Sequence, residues 1–271
     1  IIPTPHTDKN VVDFLMDYGD RFLGTTTVLC NDTPAFIANR IGVYSIMAVF
    51  NVMEKLGLSI DEVDALTGPI SGRPKSAPFR TADIVGIDTL VKEAKNTYAD
   101  CPNDESRDMF IVPAYVEKLI ENKWLGDKTG NGFFKKVKNA EGKSEIHVLN
   151  LKTFEYTPSA KAKFATVDAA KQIDDVKSRI KALHHGTDKA GDFYRNVTAL
   201  VNKYVSFRIP EIADELYKID DAVKAGFGWE LGPFETWDVL GVEKTAQMME
   251  ANGFAPAAWV KEMTAAGNKS F

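Results

Sequence analysis

Pro78-Phe79-Arg80-Thr81-Ala82-Asp83-Ile84-Val85-Gly86-Ile87 returns 155 positions later as Pro233-Phe234-Glu235-Thr236-Trp237-Asp238-Val239-Leu240-Gly241-Val242, keeping Pro, Phe, Thr, Asp and Gly in register. Each copy reads as a short helix opened by proline and ended by glycine, with its phenylalanine turned inward. Upstream, Ile60-Asp61-Glu62 aligns with Ile219-Asp220-Asp221, leaving a longer intervening loop in the first copy. A repeat of this size predicts two related helical domains. Cap residues and a buried aromatic suffice to explain the repeated residues, so they read as scaffold and not as catalysts.

Outward from the repeat, the chain is helical on both sides. Asp32-Thr33 can cap a helix that Pro34 opens, and Ile37, Ile41, Tyr44, Ala48 and Val52 trace one face as far as about Leu56. Ser59 and Glu62 have the spacing of a capping box, and Gly68-Pro69 stops the helix they start. Thr7–Phe22 predicts a helix ending before Gly24, and the β-branched run Thr25–Cys30 predicts a strand. Glycine-rich turns and short β-like runs fill 126–156, notably Phe133-Phe134 and Ile146–Leu149 on either side of Glu141-Gly142. Helices resume over Ala160–Leu183, where abundant lysines and aspartates suggest a connector, and over Ala190–Tyr217.

Composition narrows the function. The 271 residues are 44% apolar and 26% charged, enough for two domains with their own cores, and the net charge of −5 gives no general attraction to nucleic acid or anionic membrane. No apolar stretch is long enough to span a bilayer, and no signal peptide opens the chain. The two cysteines, Cys30 and Cys101, stand too far apart for a CxxC pair, so a reducing cytoplasm and no thiolate metal site are expected. The opening Ile1-Ile2-Pro3-Thr4-Pro5 reads as a cut edge within a longer polypeptide.

Most motif-like stretches dissolve on inspection. Gly226-Phe227-Gly228 follows a helical pattern and its third glycine, Gly232, comes one position late for a dinucleotide fingerprint. Gly126–Gly132 lacks the Gly-Lys-Thr order of a phosphate loop and predicts a turn. His184-His185 predicts a solvated helix end, because adjacent helical positions point about 100° apart. Asn39 is different. It falls inside the predicted long helix, two turns from its start, where asparagine is a poor choice. Flanked by Ile37 and Ile41, its amide would need partners, and an interhelical hydrogen bond and a ligand contact are both open.

Asn31-Asp32-Thr33-Pro34-Ala35-Phe36-Ile37-Ala38-Asn39-Arg40 resembles the segment that begins the C-terminal domain of the 3-hydroxyacyl-CoA dehydrogenases of fatty-acid β-oxidation. Pro-Phe-x-x-x-Asp-x-x-Gly-x-Asp at Pro78–Asp88 and Leu-Gly-x-Lys-Thr-Gly-x-Gly-Phe at Leu125–Phe133 follow in the same order. Ala35 and Ala77 stand where the family has glycine.

The resemblance implies a mainly α fold of two 6-phosphogluconate-dehydrogenase-C-terminal-like helical domains, at 31–135 and, in degenerate form, at 191–271. They are joined by a connector at 136–190 and preceded at 1–30 by the remnant of an α/β nucleotide-binding domain. It implies oxidation of 3-hydroxyacyl-CoA to 3-oxoacyl-CoA with NAD, bound mainly by that upstream domain of the same polypeptide, which also holds the catalytic histidine and glutamate. By position, Asn39 becomes the catalytic asparagine and Lys128 a cofactor-binding lysine. The fragment alone is expected to be inactive, and a fused or associated enoyl-CoA hydratase stays open. The strands of 1–30 would need new partners for their edges. The rival readings are a non-catalytic dimerisation or scaffold module and the helical domain of another NAD-linked dehydrogenase.

Overall fold

A computed structural model describes residues 1–271. The helices are α1 (Lys9–Arg21), α2 (Ala38–Leu56), α3 (Ile60–Thr67), α4 (Ala77–Val85), α5 (Ile87–Asp100) and α6 (Ala114–Glu121). The strands β1 (Phe134–Lys138), β2 (Ser144–Leu149) and β3 (Tyr156–Pro158) come next. The chain ends with α7 (Ala165–Ala170), α8 (Val176–His184), α9 (Lys189–Phe207), α10 (Tyr217–Phe227), α11 (Pro233–Leu240), α12 (Val242–Ala251) and α13 (Ala258–Ala265). The fold is mainly α. Two compact units divide it, one of Ile1–Gly42 with Thr198–Phe271 and one of Val43–Val197.

In the unit Val43–Val197, the first copy of the repeat is α3, α4 and α5. Ser59 Oγ accepts the Glu62 N–H while a Glu62 carboxylate oxygen accepts the Ser59 N–H at 2.7 Å, completing the predicted box. The core is an aromatic triangle in which Phe79 stacks on Phe50 at 4.8 Å and meets Phe133 edge-on at 4.7 Å, all three rings buried. The antiparallel meander β1-β2-β3 has Phe134 opposite Val148 and Val148 opposite Thr157.

Ala160–Leu183 is not one helix: α7 and α8 are separated by the turn around Gln172–Asp175, and Asp175 caps α8 through the Ser178 N–H. Asp61 accepts from Ser159 Oγ and the Ala160 N–H, and Arg179 donates to the carbonyl of Ile70. His184 also departs from expectation. It is half-buried beside Tyr194, its Nδ1 bonded to the Ile180 carbonyl, and desolvation pushes its pKa down to about 4, while His185 remains exposed.

In the other unit, α1 is capped by Asp8, and residues 25–30 do not form a strand. Their hydrogen bonds go to α1 and to Ile1. Thr25 N–H donates to the Gly19 carbonyl, Thr27 Oγ1 to that of Met16 and Cys30 N–H to that of Ile1. A β-branched run without an adjacent ladder stays single. The outer face of α1 exposes Phe14, Tyr18 and Phe22 as a stacked ladder at 5.6 and 5.4 Å spacing.

α9 stops at Phe207, ten residues before the expected end, where Pro210 cannot supply an N–H. The second copy is α10, α11 and α12. Here the register of the repeat needs correction. Asp220 accepts the N–H groups of Phe234 and Glu235 at the start of α11, and in the first copy Asp64, not Asp61, accepts those of Phe79 and Arg80 at the start of α4. Val63-Asp64 therefore corresponds to Ile219-Asp220, and the intervening segments are almost equal in length. Burial does not distinguish the two registers, since Ile60, Val63 and Ile219 are all buried; the aspartate bonds to the next helix select this one over the superficially closer match at Ile60-Asp61.

Candidate functional site

Two places in the chain carry the residues singled out in the sequence. The first is the entry to α2. The helix begins at Ala38, four residues later than Pro34 predicts, because Ala35 and Phe36 both take left-handed backbone, with φ of 61° and 52°. Phe36 N–H closes a tight turn on the Thr33 carbonyl, and Arg40 N–H reaches back to that of Ala35. Asn39 consequently stands in the first turn of α2 and not two turns in, and it is exposed. The expected need for an internal partner does not arise.

Around it the chain is firmly held. Ile37, Arg40 and Ile41 are fully buried. Arg40 Nε donates to Tyr204 Oη at 2.5 Å, and its terminal nitrogens to the Pro34 carbonyl at 3.3 Å and Glu211 Oε1 at 3.1 Å. Glu211 also pairs with Arg208 at 2.6 Å, and Asn31 Nδ2 donates to the carbonyls of Pro210 and Glu211. A buried guanidinium with this many acceptors fixes the direction of the turn. An exposed amide thus sits on an immobile base, at the helix end where unpaired N–H groups concentrate positive potential.

The second place is the turn Gly126–Gly132. It forms as predicted, with Gly126 and Gly130 at φ 95° and 73° and Thr129 Oγ1 bonded inside the loop. What fastens it is Asp83, 1% exposed, whose two oxygens accept the N–H groups of Phe133 at 2.9 Å and Phe134 at 2.8 Å. Burial raises the Asp83 pKa to about 6, while those two N–H groups pull it down. Glycine is required at both shoulders. A Cβ on Gly126 would stand 2.2 Å from the Asp83 carbonyl oxygen, and one on Gly132 at 2.2 Å from Asp83 Oδ1. At the tip, Lys128 pairs with Asp88 and Asp127 takes both terminal nitrogens of Arg80, at 2.5 and 2.8 Å. Lys128 is therefore a tethered cation, not a freely solvated turn lysine.

The second and third motifs of the sequence form one structural assembly, since both aspartates of the Pro78–Asp88 motif grip the Leu125–Phe133 loop. Asn39 belongs to the unit of Ile1–Gly42 with Thr198–Phe271, and Lys128 to the unit of Val43–Val197. The sequence reading had no sign of Asp64 or of Asp88 as the partner of Lys128. It also overlooked Phe271, although Gly267-Asn268 before it echoes Gly130-Asn131 before Phe133.

Residues 36–136 match the family of 3-hydroxyacyl-CoA dehydrogenase C-terminal domains. A probable 3-hydroxyacyl-CoA dehydrogenase of Bacillus subtilis is 42% identical over 271 residues, which is 100% of this chain and 34% of that protein. A putative fatty acid oxidation complex trifunctional enzyme of Rickettsia felis is 29% identical over 228 residues, 83% of this chain and 30% of that protein. The chain spans about a third of the length of these relatives. Among solved structures, the 3-hydroxybutyryl-CoA dehydrogenase of Escherichia coli shares the fold, with a TM-score of 0.64 at 16% identity over 96% of this chain and 66% of that one.

Proposed function

We propose, from the match of residues 36–136 to the C-terminal domains of 3-hydroxyacyl-CoA dehydrogenases, that the chain is the helical part of a cytoplasmic, NAD-dependent dehydrogenase of fatty-acid β-oxidation. Its substrate in this reading is a 3-hydroxyacyl-CoA, oxidised to the 3-oxoacyl-CoA. Asn39 carries the proposal. An amide that is exposed, at the positive end of a 19-residue helix, on a turn anchored by buried Arg40, can donate to the substrate's C3 oxygen without first reorganising.

NAD, when bound, accepts the hydride from C3. The residues present fit only its edge. The one sheet here is an antiparallel meander, without the strand-turn-helix crossover that cradles a pyrophosphate, so Lys128 is the group of this chain that would reach it. The proposal therefore assigns the dinucleotide cradle and the base that removes the hydroxyl proton to a nucleotide-binding domain outside residues 1–271. The exposed ladder Phe14-Tyr18-Phe22 supports that assignment, since a face of this kind calls for a covering surface. A fused or associated hydratase fits the name of the Rickettsia relative.

The test is Asn39→Ala in the polypeptide that carries this chain. Turnover should fall about 100-fold, and stability should stay within about 0.5 kcal/mol because the side chain is exposed. An unchanged kcat would sink the assignment. Residues 1–271 alone should show no NAD-dependent oxidation of 3-hydroxybutyryl-CoA, and clear turnover would place the base within them.

A further inference from the structure

Lys128 has a long flexible stem, and its tether is not explained by stability, because an ion pair as exposed as this one adds little to folding. Side-chain exposure is 46% for Lys128 and 42% for Asp88. The surroundings nevertheless set where the lysine stands, by holding its loop and by leaving room for its end. Asp83 fixes the path of the loop through the Phe133 and Phe134 N–H groups. The bidentate Arg80–Asp127 pair braces the residue before Lys128. Gly86, at φ 104°, leaves room for the lysine end, since a Cβ there would stand 2.9 Å from Nζ and 3.2 Å from Cε.

Asp88 closes this arrangement from the first turn of α5. Its carboxyl is held below the usual carboxylate range, first by the hydrogen bond from Lys128. One of the three ammonium N–H groups is used in that bond, which leaves two for another acceptor.

We propose that Asp88 is a positioning residue for Lys128, fixing where its ammonium presents two N–H groups to the anionic diphosphate of a dinucleotide. This rests on the reading of Lys128 given above. Two opposing effects attend the loss of Asp88. The ammonium would lose a neutralising neighbour, which favours an anion, and would regain the rotamer freedom of its stem, which disfavours a directed contact. At an exposed, salt-screened site the first effect is small, and the second decides.

The experiment is calorimetric titration of NAD into the intact polypeptide that carries this chain, with melting recorded for every variant. Lys128→Ala should weaken NAD binding about tenfold and Asp88→Asn several-fold. The double variant should be no worse than Lys128→Ala, and affinity for the acyl-CoA should not change in any of them. Melting temperatures should stay close to the parent's in every variant, and the exchanged pair, Asp88→Lys with Lys128→Asp, which restores the ion pair, should not recover the NAD affinity, which separates positioning from a merely structural bond. If Asp88→Asn binds NAD as tightly as the parent, or more tightly, while Lys128→Ala binds it weakly, positioning is wrong and the role of Lys128 survives. Additive losses in the double variant, or recovery of NAD affinity on exchange, also overturn positioning. No effect of Lys128→Ala overturns both.

Discussion

The backbone N–H of Phe271 donates to Asp238 Oδ1 at 2.9 Å, the same bond that Phe133 makes to Asp83 in the other copy of the repeat. The rings agree as well: Phe271 meets Phe234 edge-on at 4.9 Å, as Phe133 meets Phe79 at 4.7 Å. Each copy is thus closed by an aromatic residue that arrives from downstream and is caught by the aspartate of its Pro-Phe helix.

Phe271→Ala should therefore destabilise the chain. The ring lies within 5.7 Å of Trp259 and 5.1 Å of Trp237, and losing a half-buried phenylalanine of this kind costs about 2 kcal/mol. Phe133→Ala, at a fully buried ring, should cost about 4 kcal/mol. Urea unfolding of the two variants checks the order.

Glycine substitutions should separate space from conformation. Gly132→Ala forces a methyl onto the Asp83 carboxylate and should cost about 3 kcal/mol. Gly142→Ala, in the hairpin turn at φ 76° with nothing within 4 Å, meets only backbone strain, about 1 kcal/mol. Equal losses would show that the loop shifts to accommodate the methyl group.

Ala35→Gly should stabilise. At φ 61° the alanine Cβ costs about 1–2 kcal/mol, partly offset by the greater freedom of glycine in the unfolded chain, for a net gain of about 0.5–1 kcal/mol. A lower unfolding midpoint in the glycine variant would contradict the left-handed turn at the entry to α2.

Stability should also depend on pH. Burial pushes the Asp64 and Asp220 carboxyls up to about 7 and that of Asp83 to about 6, against the backbone N–H groups that lower them. Since the folded pKa values exceed the free value of 3.8, the folded chain keeps protons that the unfolded chain releases. Their contribution is complete below about 4 and is lost as pH rises through 6 to 7. His184, pushed down to about 4, acts in the opposite sense and withdraws stability as pH falls below about 6.5. The urea midpoint should change little from pH about 8 to about 7 and rise as pH falls from about 7 to about 4, because three carboxyls outweigh one imidazole in that window. A midpoint that stays flat or falls between about 7 and about 4 would show that the carboxylates stay ionised.

The elements legible in the sequence were those with local causes. Ser59 and Glu62 are three apart and their box formed; Gly86 and Gly241 end their helices at φ 104° and 90°. The hairpin arms on either side of Glu141-Gly142 appear as β1 and β2. What stayed hidden has causes that are distant or contrary to residue type. Nothing in alanine or phenylalanine announces a left-handed backbone, so residue type predicts a start of α2 four residues early and sets Asn39 deeper in the helix than its first turn. Thr25–Cys30 has strand composition, yet its backbone bonds go to Ile1 and to the end of α1 and build no ladder. The proposed site residues follow the same rule. The signature around Asn39 and the Lys-Thr-Gly turn can be read along the chain, whereas Lys128 and Asp88 lie 40 positions apart, and no local pattern joins them.

The bond from aspartate to downstream phenylalanine spans 50 positions in the first copy and 33 in the second. A closure of this kind constrains its two ends and is indifferent to the length of chain between them. Insertions within either span are then tolerated as long as the terminal aromatic still arrives, since lengthening an already long loop adds little entropy cost. The longer span holds the loop of Lys128. The scaffold can therefore gain or shed a chemically equipped segment between fixed endpoints, which makes the 33-residue interval of the second copy a natural place to graft one.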